Sequence, residues 1–156
     1  MNNRRRKLLK GSSGAAVVAL AASAGLFRPE SAWAQAWNKA AFEAKNFNDL
    51  LKSMGAGASS ESKDVVINSP DIAENGAVVP FTISSRLAKT EAMALLVEKN
   101  PNVLVGSYAI PGGTEANVTM RAKMGQTSNV IALVKADGKY YHAIKEVKVT
   151  IGGCGG

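Results

Sequence analysis

The chain has 156 residues and a formal net charge of +7. Spread over a folded surface, that excess would point to nucleic acid or an anionic membrane. Six of the bases and one acid fall within Met1–Ala36, a net of +5, and the remaining residues carry only +2. Nucleic-acid binding loses its support, because affinity for phosphate backbones comes chiefly from clustered Lys and Arg.

The first 36 residues have the three-part layout of a cleaved export signal: a basic start, an apolar small-residue run from Gly14 to Phe27, and A-x-A cleavage patterns at Ala32-Trp33-Ala34 and Ala34-Gln35-Ala36. The stretch RRRKLLK resembles a twin-arginine signal, with Arg5 and Arg6 as the pair and Leu8 where that motif usually has Phe. The alternatives are an ordinary Sec signal and a retained anchor. The apolar run is shorter than the roughly 20 residues a spanning helix needs, which disfavours the anchor. Cleavage leaves a mature chain beginning near Gln35 or Trp37, with no membrane segment, in the bacterial periplasm. In that oxidising space a structural cysteine usually has a partner, and this chain has a single cysteine.

About 120 residues follow, enough for one domain and too few for two. Ala40, Ala44, Phe47, Leu51 and Met54 recur at steps of four and three, which predicts one amphipathic N-terminal helix ended by Gly55 and Gly57. After the GAGASS stretch the period becomes two. Val79, Phe81 and Ile83 alternate with Pro80, Thr82 and Ser84, and Pro80 suggests an edge strand or a bulge. Breaks at Asn75-Gly76, Asn100-Pro101 and Pro111-Gly112-Gly113 separate further strands. TEAMALLVEKN favours a helix on propensity alone. The short, regular spacing of the breaks around it instead fits a β-sandwich, so it is assigned as a strand.

NVTMRAKM sets Val118, Met120, Ala122 and Met124 against Asn117, Thr119, Arg121 and Lys123, one dry face and one wet. Val130 to Val134 is apolar on both faces, which suggests hydrophobic surface left for another subunit. Asp137-Gly138 then marks a hairpin, and Val147, Val149 and Ile151 alternate with Lys148 and Thr150 in the last strand. The expected fold is all-β: an immunoglobulin-like sandwich of about seven strands over residues 37–151, preceded by one helix and followed by a flexible arm, residues 152–156.

That arm holds the single cysteine, Cys154, between Gly152-Gly153 and Gly155-Gly156. A buried structural cysteine needs neighbours to pack against, and glycine supplies none. Without Cβ atoms the segment can enter a channel barely wider than a backbone, and at ~3.3 Å per extended residue its five residues span about 16 Å. Fixing each residue costs roughly 1–2 kcal/mol, so docking is weak and reversible, which suits a carrier that visits several enzymes. An unshifted thiol is only slightly ionised at neutral pH, so activation must come from whichever enzyme receives the arm. Sulfur bonds readily to sulfur, and such a thiol can hold a sulfur atom or a sulfonate covalently between steps.

The leader, SPDIAENGAVVPFTIS, EKNPNVLVGSY and RAKMGQTSNVIALVKADGKYYHAIKEVKVTIGGCGG together resemble the SoxY family over essentially the whole chain. The GGCGG terminus is the most diagnostic part. The resemblance implies an Ig-like carrier in thiosulfate oxidation that is not itself an enzyme and has no cofactor. Sulfur is conjugated to Cys154 on an arm made by Gly152, Gly153, Gly155 and Gly156. It further implies a tight heterodimer with SoxZ and three client enzymes: a c-type cytochrome that loads the thiol, a dimanganese hydrolase that releases sulfate, and a sulfane dehydrogenase.

Other readings fit less well. A frayed terminus leaves an exposed thiol unexplained. Prenylation needs cysteine fourth from the end, where Gly153 stands. His142, the sole histidine, reads as a surface or half-buried strand residue rather than a metal ligand. Asn117-Val118-Thr119 is a chance sequon in a bacterial export context. A ubiquitin-like carrier would use the Gly156 carboxylate as a thiocarboxylate, but needs cytoplasmic ATP-dependent activation. A purely structural sandwich would not need the thiol, and a Cys154-linked homodimer is a plausible off-state.

Overall fold

A computed structural model of the chain describes residues 38–150. The export-signal span 1–36, its cleavage patterns, Ile151 and the five residues of the proposed arm lie outside the described residues. Two short helices, α1 (Lys39–Glu43) and α2 (Phe47–Ser53), precede nine strands: β1 (Ser60–Glu61), β2 (Val65–Asn68), β3 (Ile72–Ala73), β4 (Val79–Ser85), β5 (Thr90–Val97), β6 (Leu104–Ala109), β7 (Asn117–Ala122), β8 (Ser128–Ala136) and β9 (Lys139–Val149). The larger sheet runs β1-β9-β8-β5-β6 with β3 also alongside β9, and the smaller runs β2-β4-β7. The expected all-β sandwich is present, with seven longer strands and two of only two residues.

The single expected helix is instead two. Ala44 leaves helical geometry at ψ 136°, and Asn46 starts α2 as its N-cap, its side-chain oxygen accepting from the Asp49 N–H at 2.9 Å. A capping Asn satisfies a backbone donor that a continuous helix would bond internally, so the break is a locally stable alternative. It also rotates the apolar stripe: Ala40 is exposed, while Ala41, Ala44, Leu50 and Leu51 are buried.

The sheets pack face to face through Val79, Phe81 and Ile83 of β4 and Met120 and Ala122 of β7 on one side, and Met93, Leu95, Val97, Val130, Ala132 and Val134 of β5 and β8 on the other. Side chains of period two deliver one apolar face per strand, and both alternating patterns point inward as expected. TEAMALLV forms β5, buried from Met93 to Val97, because its centre is covered on both faces. Burial of that kind overrides helix propensity.

On the outer side of the larger sheet, Ala94, Leu96, Ile131 and Leu133 pack under Ala41, Ala44, Leu50 and Leu51. The two-faced apolar run of β8 is therefore covered by the chain's own helices and does not supply surface for another subunit. Pro80 also departs from expectation, since β4 is the middle strand of its sheet. Pairing with β2 stops at Asn68↔Thr82, so Pro80 faces only β7, through Arg121. Its missing N–H falls where no neighbour needs it.

The β8–β9 turn has Asp137 at φ +48° and Gly138 at φ +72°, the left-handed pair that a two-residue hairpin with the native strand twist requires. Glu91 stitches this turn to β5: one carboxylate oxygen accepts from the Gly138 N–H at 2.9 Å, the other from Lys135 Nζ at 2.8 Å. The Lys135 hydrogen bond, then the Gly138 N–H, hold the Glu91 carboxyl below its ordinary range, and Glu91 in turn raises Lys135.

Two measurements follow from this packing. Phe81→Ala removes a fully buried ring and should cost about 3–5 kcal/mol in denaturant unfolding. A depressed folded-state carboxyl contributes stability above the unfolded pKa, near 4.3, that is lost as pH falls through the lower folded value. Thermal melts of Glu91→Gln should thus lie below wild type at neutral pH and converge with it in acid; a gap that does not narrow as the pH falls through the carboxylate range would contradict the assignment.

Candidate functional site

Cys154, Gly152, Gly153, Gly155 and Gly156 lie outside the described residues, and the structure describes the platform that carries them. That platform is the end of β9. The strand runs for 11 residues and pairs with β8 from Ala136↔Lys139 to Ser128↔Val147. Its other edge is shared by two short parallel strands. β1 pairs near its start, at Ser60↔Tyr141 and Glu61↔His142, and β3 at its end, at Ile72↔Lys148 and Ala73↔Val149. Between them the chain leaves to form β2 in the opposite sheet.

The last described residues are held from both flanks. The Lys148 N–H donates to the Asp71 carbonyl at 2.9 Å and the Thr150 N–H to the Ala73 carbonyl at 3.2 Å, while the Val149 N–H donates to Thr127 Oγ1 at 2.9 Å. Lys145 Nζ reaches the Ser69 carbonyl at 2.6 Å and Asp71 Oδ1 at 2.9 Å, clipping the segment before β3 onto β9. The Lys145 hydrogen bond and its charge hold the Asp71 carboxyl below its usual range.

The turn after β3 closes the collar. The Met124 N–H donates to the Gly76 carbonyl at 2.7 Å, and a Cβ on Gly76 would collide with the Met124 carbonyl oxygen and sit 2.9 Å from Val149 Cγ1. Glycine is needed there for close approach, because any side chain would push the turn off the end of β9.

His142 lies eight residues before Thr150, at the other end of the strand. It is half-buried, with Nδ1 2.9 Å from Ser59 Oγ and its ring edge-on to Phe47 at 5.6 Å. Those contacts tie β9 to α2 and the β1 approach, a packing role in keeping with the reading of the sequence. Among the described residues no group of three or more His, Cys, Asp or Glu is placed to hold a metal ion.

The sequence reading missed the collar itself: Ser69, Asp71, Ala73, Gly76, Thr127 and Lys145 show no periodicity, and four act through backbone carbonyls that any residue type could supply. The asparagine-glycine pair was visible only as a turn. What the arrangement does is mechanical. It fixes the described end of β9, up to Thr150, from both flanks, four residues before the thiol in sequence. Lys145→Met should loosen this end without unfolding the sandwich, and hydrogen exchange should show faster exchange at the Lys148 and Thr150 amides with β5 and β8 amides unchanged.

The chain matches the SoxY family, described as sulfur oxidation protein SoxY, over residues 51–154. Among solved structures it is similar to the sulfur carrier protein SoxY from Chlorobium limicola f thiosulfatophilum, with 33% identity, a TM-score of 0.61, and coverage of 67% of this chain and 94% of that one. A superoxide reductase (neelaredoxin) from Ignicoccus hospitalis aligns at 21% identity and a TM-score of 0.50, covering 55% of this chain and 80% of that one, a likeness of fold alone. No curated protein matches the chain. The family match enters within α2, takes in every strand of the sandwich and extends to Cys154, and a third of the aligned residues are shared with a solved member, so the chain belongs to the SoxY family of sulfur oxidation proteins.

Proposed function

We propose that this chain is a periplasmic carrier that holds sulfur covalently on Cys154 and presents it to the enzymes of thiosulfate oxidation. One observation carries the reading: the family match includes Cys154, the only cysteine, in a glycine-flanked terminus that follows an anchored strand end. The described residues end the platform at Thr150, and four extended residues on from it would place the thiol ~13–14 Å away. Gly152, Gly153, Gly155 and Gly156 serve as the flexible arm, and the Lys145–Asp71 clip resists its being pulled from the body when an enzyme draws on it.

The chemistry assigned to the arm balances with partners of defined class. The Cys154 thiolate and the outer sulfur of thiosulfate form a disulfide-type bond, R–S–S–SO₃⁻, and the two electrons released go to a c-type cytochrome. Water then displaces the terminal sulfonate as sulfate, with two protons released, and leaves the persulfide R–S–S⁻; a dimanganese hydrolase would catalyse this step. A sulfane dehydrogenase would then oxidise the outer sulfur of R–S–S⁻ with three waters to R–S–SO₃⁻, releasing six protons and passing six electrons to its own redox centre and on to an electron-accepting cytochrome. The carrier supplies a nucleophile and a tether, and each enzyme supplies the base, the metal or the redox centre.

Residues 1–36, read as a cleaved twin-arginine signal, would place the mature chain in the periplasm, exported together with a SoxZ-like subunit as a heterodimer. With the apolar run of β8 covered by α1 and α2, that subunit has to meet another surface.

Intact-mass analysis of the chain after incubation with thiosulfate and its native enzymes should find the adduct on Cys154. Cys154→Ser should abolish sulfate release altogether while leaving the melting temperature within experimental error of wild type. An adduct on the Gly156 carboxylate would replace this reading with a thiocarboxylate carrier, and undiminished turnover by Cys154→Ser would leave only a structural sandwich.

A further inference from the structure

Five large apolar side chains stand exposed among the described residues, and the three most exposed are Ile72 at 55%, Ile144 at 51% and Val78 at 50%. Ile72 and Val78 belong to the 71–78 segment bonded to the end of β9, while Ile144 stands farther up that strand. The other two, Tyr108 and Val66, sit elsewhere: Tyr108 near the end of edge strand β6, Val66 in β2 opposite Ser84. Scattered exposed apolar residues are ordinary, but a concentration around one point marks a contact surface.

The reach of the chain beyond Thr150 says what that surface meets. A protein that takes Cys154 into its active site must bring its channel mouth within ~14 Å of Thr150, since four residues span no more. A partner covering about 800 Å² of the carrier around that point occupies a disc of roughly 16 Å radius. Ile72 pairs in register with Lys148, two residues before Thr150, which places it about 8 Å from the root of the arm. Val78 is two residues beyond Gly76, itself against Val149, and also falls inside the disc. Ile144, six residues up the strand, lies about 20 Å away, at or beyond the rim. Lys148 is exposed beside Ile72 and has no ion-pair partner among the described residues.

We infer that Ile72 and Val78, with Lys148 beside Ile72, form the docking rim against which the enzymes that act on Cys154 close. The fitting partner has an apolar collar around a channel about as wide as a bare backbone, and a carboxylate placed to meet Lys148. The rim gives a brief encounter its affinity, while the arm, costly to order, contributes reach rather than binding. Two apolar side chains are too few for a permanent interface, which suits a carrier that must leave each enzyme once its load has changed. The inference rests on the carrier reading above.

The test uses the full mature chain, wild type and with Ile72→Glu and Val78→Glu combined. A milder Ile72→Ser, Val78→Ser pair covers the event that the charged pair fails to fold, and Tyr108→Glu serves as a distant control. Each protein is first loaded with tetrathionate. The Cys154 thiolate attacks an inner sulfur, forms R–S–S–SO₃⁻ and expels thiosulfate, a small-molecule exchange that needs no docking. The loaded proteins are then given to the purified sulfate-releasing hydrolase. Loss of hot-spot contacts should raise KM about tenfold for the charged pair and a few-fold for the serine pair. The kcat, the tetrathionate loading rate and the Tyr108→Glu kinetics should be unchanged. An unaltered KM overturns the docking rim. So does loss of a stably bound subunit or dimer on size exclusion, which would assign the patch to a permanent interface. Failure of the carrier reading shows separately, in the wild-type protein alone: if loaded wild type releases no sulfate, both readings fall.

Discussion

The register between β8 and β9 is the constraint on which the rest of this molecule depends. It is set by a two-residue turn at Asp137-Gly138 and carried through nine paired positions to Ser128↔Val147. A slip of one residue would turn Val147 and Val149 out of the core and bring Lys148 in, because side chains alternate with a period of two. The same slip would shift the position of Thr150, the last described residue. The β3 ladder, the Thr127 hydroxyl and the Lys145–Asp71 clip then act on a strand whose register is already defined.

From that strand the division of labour can be argued. In the proposed carrier role, enzymes would need a fixed surface to recognise beside the segment that enters them. The described end of β9 is fixed by backbone hydrogen bonds on both flanks of Lys148 to Thr150, reinforced by a half-buried ammonium that bridges a carbonyl and a carboxylate. Such contacts leave Ile72, Val78 and Lys148 exposed, the surface proposed above for docking.

The layering follows from unequal covering of the two sheets. β5 and β8 are apolar on both faces, so the larger sheet needs material on each side. The smaller sheet covers one side and the two short helices cover the other. Breaking the helical segment at Ala44–Asn46 leaves Ala41, Ala44, Leu50 and Leu51 in one buried cluster with Ala94, Leu96, Ile131 and Leu133, and the first helix lies against β6. The face once expected to wait for a subunit is thus occupied from within the chain.

Much of this was legible in the residues themselves. The alternation in β4 and β7, the Asp137-Gly138 hairpin and a lone thiol among glycines each depend on chemistry local to a few neighbouring positions, and local chemistry survives in any fold. Two features did not reveal themselves that way, and a third, the strand TEAMALLV, was legible only from the spacing of the breaks around it, against its own helix propensity. TEAMALLV lies in a strand because it is buried on both faces; Pro80 is tolerated in a middle strand because β2 stops short of it; and the collar around Thr150 joins residues up to 77 positions apart through carbonyls and a hydroxyl. Those outcomes were decided by which segments the tertiary structure brings together, since a backbone oxygen has no sequence signature and becomes a partner only when the fold sets a donor beside it.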